Sequence, residues 1–164
     1  NDFSVQLHYK LIQEAPGGFN RYLDITDGLS DKICRNIFRF TDYEGFCRLL
    51  KSRDVTYSRL SRGLLHILLN MTKEQMQEYL RNDYITYARI LGFCKTSAPL
   101  LKKIKKHTSV PMITKLADAH RKLPAAGLSM LEQDIQAAHL YSFAATAKYH
   151  TAFINEYARQ LVIL

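Results

Sequence analysis

Arg59, Arg62 and His66 stand at i, i+3 and i+7, a spacing that brings all three to one face of a helix. A guanidinium group binds phosphate oxygens through two parallel hydrogen bonds, so such a stripe suits the backbone of a nucleic acid. It also suits a solvated or domain-facing surface. A denser run follows in Lys102-Lys103-Ile104-Lys105-Lys106-His107. Leu100, Leu101 and Ile104 are expected to anchor this second helix, so Lys102, Lys103, Lys105 and Lys106 cannot all point one way. Nucleic-acid contact and a solubilising face both fit the run.

Other chemistry is conspicuous by its absence. The seven glycines never form G-x-G-x-x-G or G-x-x-x-x-G-K, the loops that cradle phosphates. No ATP site is therefore expected within the chain. The six histidines never fall at H-x-x-x-H spacing and no C-x-x-C pair exists, which argues against a structural zinc. Asp134 and His139 lie five apart, on different faces of an expected helix rather than in a relay. His66-Ile67-Leu68-Leu69 has the histidine of an adenylyl-transfer signature. It lacks the glycine that lets backbone approach phosphate, and it sits inside a leucine-rich helix. No catalytic, cofactor or metal residue is assigned.

The elements that must position these side chains are mostly helical. Val5, Leu7, Leu11 and Ile12 predict a short amphipathic helix that Pro16-Gly17-Gly18 ends. Leu29, Ile33, Ile37 and Phe38 predict a second over 27–38. Thr41–Glu44 has the form of a capping box, opening a helix with Phe46, Leu49 and Leu50. Thr56 is the expected N-cap of a helix carrying Leu60, Leu64, Leu68 and Met71, with Leu64 and Leu68 in the core. Thr72–Gln75 is a second capping box. Residues 84–93 alternate and close on Gly92, as a short strand would. Ser97 is expected to cap the lysine helix, 98–106, and Pro111 keeps 109–113 extended. Residues 115–127 read as irregular, followed by a helix over 129–147, a break near Tyr149, and a further helical piece to Arg159. The fold class is mainly α: one helical domain over 1–164, with at most a two- or three-stranded sheet from segments near 85–91, 110–113 and 161–164.

Composition sets the bounds. A chain of 164 residues, 47% hydrophobic, can bury a core of its own. No apolar stretch approaches the roughly 20 residues of a membrane span, and no leader is visible in 1–10. Cys34, Cys47 and Cys94, widely spaced, suit free buried thiols in a cytoplasmic protein. The net charge of +8 is lopsided: residues 85–164 hold 11 basic and 4 acidic side chains. Eight of the basic ones lie between Lys95 and Lys122, facing only Asp118. Such a field favours polyanions, of which nucleic acid is the commonest.

Several segments in linear order carry a family resemblance. Arg53–Arg62 with Leu64–Leu69, then Tyr87–Phe93, Leu100–Lys105, Ser109–Lys115 and Asp134–Tyr141, with the opening Phe3–Leu11, resemble the bacterial tRNA(Met) cytidine acetate ligase family over about residues 3–143. Members of that family join acetate to the wobble cytidine of elongator tRNA(Met), with ATP activating acetate as acetyl-adenylate. The resemblance implies that a nucleotide-binding catalytic domain, with its ATP site, precedes Asn1. It implies that this chain is a helical C-terminal region that holds tRNA and packs against that domain. A purely structural helical interaction domain is the competing reading. An autonomous small enzyme is the least favoured, for want of a nucleophile, metal or phosphate constellation.

Overall fold

The computed structural model describes residues 2–164, whose contacts gather into two compact units, 1–77 and 78–164. The first unit is helical. Its elements are α1 (Ser4–Glu14), α2 (Asp27–Asn36), α3 (Tyr43–Leu50) and α4 (Tyr57–Leu68), and α5 (Lys73–Arg81) begins within it. Side-chain caps place several helix starts. Thr56 Oγ1 accepts from the amide of Arg59, and Thr72 and Gln75 exchange reciprocal bonds of 3.0 and 3.2 Å. The third cap is Asp42 rather than Thr41: its carboxylate accepts from Gly45 at 2.8 Å.

Packing of α1 on α4, of α2 on α3 and of α3 on α4 encloses the first core. Leu7, Leu11, Leu29, Ile33, Phe46, Leu60, Leu64 and Ile67 fill it. Three apolar expectations turn outward instead. Val5 and Ile12 are exposed, and Phe38 is 90% exposed, because α2 tightens into a 3-10 turn, Ile37–Arg39, that rotates it out. Leu68 is only partly buried against this core. The space is taken by the loop after α1, whose Phe19, Tyr22 and Ile25 are all buried. Its backbone is stitched to the turn between α4 and α5 through Leu23 N to Met71 O and Lys73 N to Arg21 O. Gly63 leaves room for this, since a Cβ there would lie 2.7 Å from Ile25 Cδ1 and force that side chain to shift.

In the second unit, two parallel two-stranded ladders join distant segments. They pair β1 (Ala88–Arg89) with β3 (Met112–Ile113), and β2 (Gly92–Phe93) with β4 (Val162–Ile163). The expected alternating strand thus divides between two partners. Gly92 is required where it stands, because a Cβ would sit 2.7 Å from the carbonyl oxygen of Val162. Between the ladders run α6 (Ala98–His107), the short α7 (Ala119–Lys122) and α8 (Ala125–Tyr149). Ser97 precedes α6 without a side-chain capping bond. The expected irregular stretch 115–127 is overridden as Pro124 caps α8, four residues earlier than read, leaving Gly127 inside the helix. His150, in the left-handed conformation, ends it. Beyond it only a 3-10 turn, Glu156–Ala158, is helical. A small core forms from Ile113, Ala119, Leu123, Leu131 and Ile135.

Among the described residues no helix is long and apolar enough to cross a membrane. The cysteines differ: Cys47 is buried, Cys34 half-buried and Cys94 exposed, so the expectation of three buried thiols fails at Cys94.

Candidate nucleic-acid interface

Arg59, Arg62 and His66 do share one face of α4, but they meet three different environments. Arg62 makes a forked ion pair with Asp24, Nε to Oδ2 at 2.6 Å and NH2 to Oδ1 at 3.3 Å. Asp24 sits at φ +63° in the loop after α1, a conformation its short polar side chain tolerates. The hydrogen bond from Arg62 holds the Asp24 carboxyl below its ordinary range, against the opposing effect of burial. His66 is 9% exposed, and its Nδ1 lies 3.1 Å from the carbonyl oxygen of Leu23 and 3.3 Å from Asp24 Oδ2. Both neighbours accept, so Nδ1 carries the proton and His66 closes the loop onto the helix. It is a packed residue, not part of an open stripe. Arg59 alone is exposed with no side-chain hydrogen bond or ion pair among the described residues.

The lysine helix is the reverse case. Lys102, Lys103, Lys105 and Lys106 are all exposed, and none has an ion-pair partner among the described residues. Leu100 and Ile104, expected as anchors, are exposed too. No residue of α6 is fully buried, and Leu101 faces inward only in part. Some cations elsewhere are neutralised: Lys10 and Arg21 by Glu14, Arg48 by Glu44, Arg121 by Asp118. On α6 four lysines without an ion pair among the described residues fall within five positions, the densest positive run in the chain. Three of its basic groups, Lys105, Lys106 and His107, also complement the negative end of their own helix.

One charged cluster escaped the sequence reading. Glu156, 4% exposed, accepts from Arg89 at 2.7 Å and Arg159 at 2.8 Å, while its backbone amide donates to His139 Nε2 at 3.0 Å. Burial pushes its carboxyl up, but the two arginines outweigh it and leave it below the usual range. Asp134, considered with His139 as a pair, instead accepts from the hydroxyl of Tyr87. The two serve separate ties, as their different faces of α8 predict. Partners 67 residues apart leave no local signal; only Glu156 and Arg159, three apart, were adjacent enough to notice. No group of three or more metal-ligating side chains gathers among the described residues.

The second unit thus carries a basic helix among small parallel ladders, and the first is helical. The HIGH Nucleotidyl Transferase family model matches residues 1–155, and the chain belongs to that family. It is 34% identical over 143 residues to the tRNA(Met) cytidine acetate ligase of Thermoanaerobacter sp. (strain X514), covering 87% of this chain and 34% of that protein. To the tRNA(Met) cytidine acetate ligase of Bacillus subtilis (strain 168) it is 33% identical over 152 residues, covering 92% of this chain and 35% of the other. In fold it is similar to Thermotoga maritima TmcAL bound with alpha-thio ATP. The TM-score is 0.82 at 18% identity, over 99% of this chain and 42% of that one. The chain spans about a third of the length of the curated relatives it matches. One expectation is corrected: the model that covers residues 1–155 is that of the nucleotidyl transferase itself. The match therefore speaks for that family's own region, not for a C-terminal domain separate from it.

Proposed function

We propose that this chain is the helical, tRNA-holding part of an ATP-dependent ligase that acetylates the wobble cytidine of elongator tRNA(Met) through acetyl-adenylate. The observation that carries the reading is the set of four exposed lysines on α6 with no acidic partner among the described residues. Uncompensated cations on one helix are what a phosphate backbone selects, since each contact releases condensed counterions. The names of the relatives, tRNA(Met) cytidine acetate ligases, supply the substrate and the reaction. On this reading the triphosphate of ATP is cradled elsewhere in the same polypeptide, because residues 1–164 contain no phosphate-cradling glycine loop. The exposed apolar side chains Val5, Tyr9 and Ile12 on α1 would then be covered by the rest of that polypeptide.

The geometry reorders the candidate phosphate ligands. Guanidinium forks ordinarily outrank ammonium groups at phosphate. Here Arg62 must first leave Asp24, and His66 is enclosed. Lys102, Lys103, Lys105 and Lys106 come first, with Arg59 beside them in rank but on α4. The test is a filter-binding titration of the chain with elongator tRNA(Met) against salt. Each phosphate contact contributes about −0.7 to −0.9 to the log–log slope. Changing the four lysines to Gln should flatten that slope by roughly two to three units. A shallow wild-type slope, or one the four changes leave alone, would favour a structural module that makes no direct contact with RNA.

A further inference from the structure

Two cavities lie side by side in the second unit and share Lys105 and Met112. The first, about 210 Å³, is walled by Phe93, Leu101 and Met112, with Lys102 and Lys105 on its rim. The second, about 260 Å³, lies beside the extended segment after α6, between Lys105 and Lys122, with Thr108 and Ser109 at its side. One is apolar and holds an aromatic ring. The other is mixed, with two lysines and two hydroxyls among apolar neighbours. We propose that together they form a groove for one unpaired nucleotide of an RNA chain, its base in the apolar cavity and its phosphate between Lys105 and Lys122.

An apolar cavity of about 150 Å³ accepts a benzene ring, so a six-membered base fits the first cavity with room to spare. Phe93 supplies the flat apolar face on which any base stacks. It is held in place by backbone pairing, since β2 is laddered to β4 and Phe93 O accepts from Leu164 N at 3.1 Å. The basic cavity has few competing charges. Lys105 has no ion-pair partner among the described residues, and Lys122 only approaches Asp118, at 3.8 Å, whose carboxylate is already bound by Arg121. The Ser109 hydroxyl has no hydrogen-bond partner among the described residues, while Thr108 Oγ1 accepts from Val110 N and so keeps its proton for donation. A base still paired in a duplex cannot enter a recess of this kind. Sequence-tolerant stacking on a recessed aromatic is instead how unpaired loops are recognised. Charge complementarity selects a polyanion over an uncharged apolar partner.

The inference rests on the RNA-holding reading above and narrows it to unpaired nucleotides. The test is fluorescence anisotropy of the 164-residue chain with a short labelled pyrimidine oligoribonucleotide, alone and annealed to its complement. The wild type should bind the single strand more tightly than the duplex. Phe93→Ala should weaken single-strand binding by roughly 5- to 150-fold, the range for loss of one stacked base, with little effect on the duplex. Phe93→Tyr, which keeps the ring, should restore it. Ala98→Leu fills the same cavity from the exposed first turn of α6 without touching the ladder, and should weaken single-strand binding likewise. Lys105→Ala with Lys122→Ala should lower the salt slope by about 1 to 2 units. If neither RNA form binds, the RNA-holding reading falls and this inference with it. If RNA binds but Phe93→Ala and Ala98→Leu leave affinity unchanged, or the duplex binds as well as the single strand, the groove alone is overturned. Displacement of the oligonucleotide by an acidic peptide at equal concentration would also overturn it.

Discussion

Replacing Glu156 with Ala removes one carboxylate that serves two arginines of unequal burial. Arg159 is half exposed, so its share is that of a surface pair, at most about 1 kcal/mol. Arg89 is different: its side chain is only 19% exposed, and the change would leave its guanidinium enclosed without a counter-charge. Removing one member of a buried pair costs about 3–5 kcal/mol, and the fraction of Arg89 still in water argues for the lower end. The expected loss is thus about 3–4 kcal/mol, or roughly 6–16 °C in melting temperature for a chain of this size. Glu156→Gln keeps the shape and one acceptor oxygen and should cost less, about 1–2 kcal/mol. The assay is urea unfolding followed by circular dichroism, with hydrogen exchange of residues 88–93 reporting the second unit. The folded carboxyl lies below its unfolded value, so the unfolded chain takes up the proton first and stability rises with pH across that window. The contribution is complete at neutral pH and drains away as pH falls below the ordinary glutamate range; Glu156→Gln should flatten that limb. A loss under about 0.5 kcal/mol for Glu156→Ala, the scale of an ordinary surface change, would refute the reasoning.

Other outcomes follow from the first core and from the thiols. Leu64→Ala should cost about 2–5 kcal/mol and Leu68→Ala distinctly less, since only Leu64 is fully enclosed; equal losses in urea unfolding would contradict the packing. Gly92→Ala should destabilise by about 1–3 kcal/mol and speed hydrogen exchange at Phe93, because the new methyl meets backbone rather than a side chain that could give way. The Asp24 carboxyl is depressed by Arg62, so its contribution is present at neutral pH and lost as pH falls through the acid range. Asp24→Asn should flatten the acid limb of the first unit. Cys47, with its thiol pushed up to about 11 by burial, should resist alkylation at neutral pH until the chain unfolds, whereas exposed Cys94 reacts at once; mass spectrometry of a timed reaction reads both.

The helices were legible because their signals are local. Thr56 and the Thr72–Gln75 pair cap as their spacing predicts, and leucines at helical intervals find the first core. Phe38 went astray because tightening by one hydrogen bond in the last turn swings a side chain outward, and no pattern of residue types encodes that. Phe19, Tyr22 and Ile25 were missed for the opposite reason: they lie in a loop, where periodicity has nothing to say, yet they are buried. The candidate site was half legible. Basic residues could be counted, but which of them were already neutralised depended on carboxylates 38 residues away for Arg62 and 67 for Arg89. Family membership was readable from ordered short segments, whereas the region's place within the longer relatives was not.

The pairing of Gly92–Phe93 with Val162–Ile163 has a temporal side. Closing a parallel contact across so long a stretch of chain is entropically slow, and two residues per strand return little enthalpy for it. During synthesis the second ladder cannot close until Val162 has left the ribosome. By then the first unit, whose contacts lie within residues 1–77, has had time to fold. The ring of Phe93 is fixed only by that late closure, so a nascent chain would expose its lysine helix before the neighbouring aromatic wall is set. If the proposed groove holds RNA, capture before β4 pairs would be electrostatic and indiscriminate, and discrimination would be acquired when β4 joins β2.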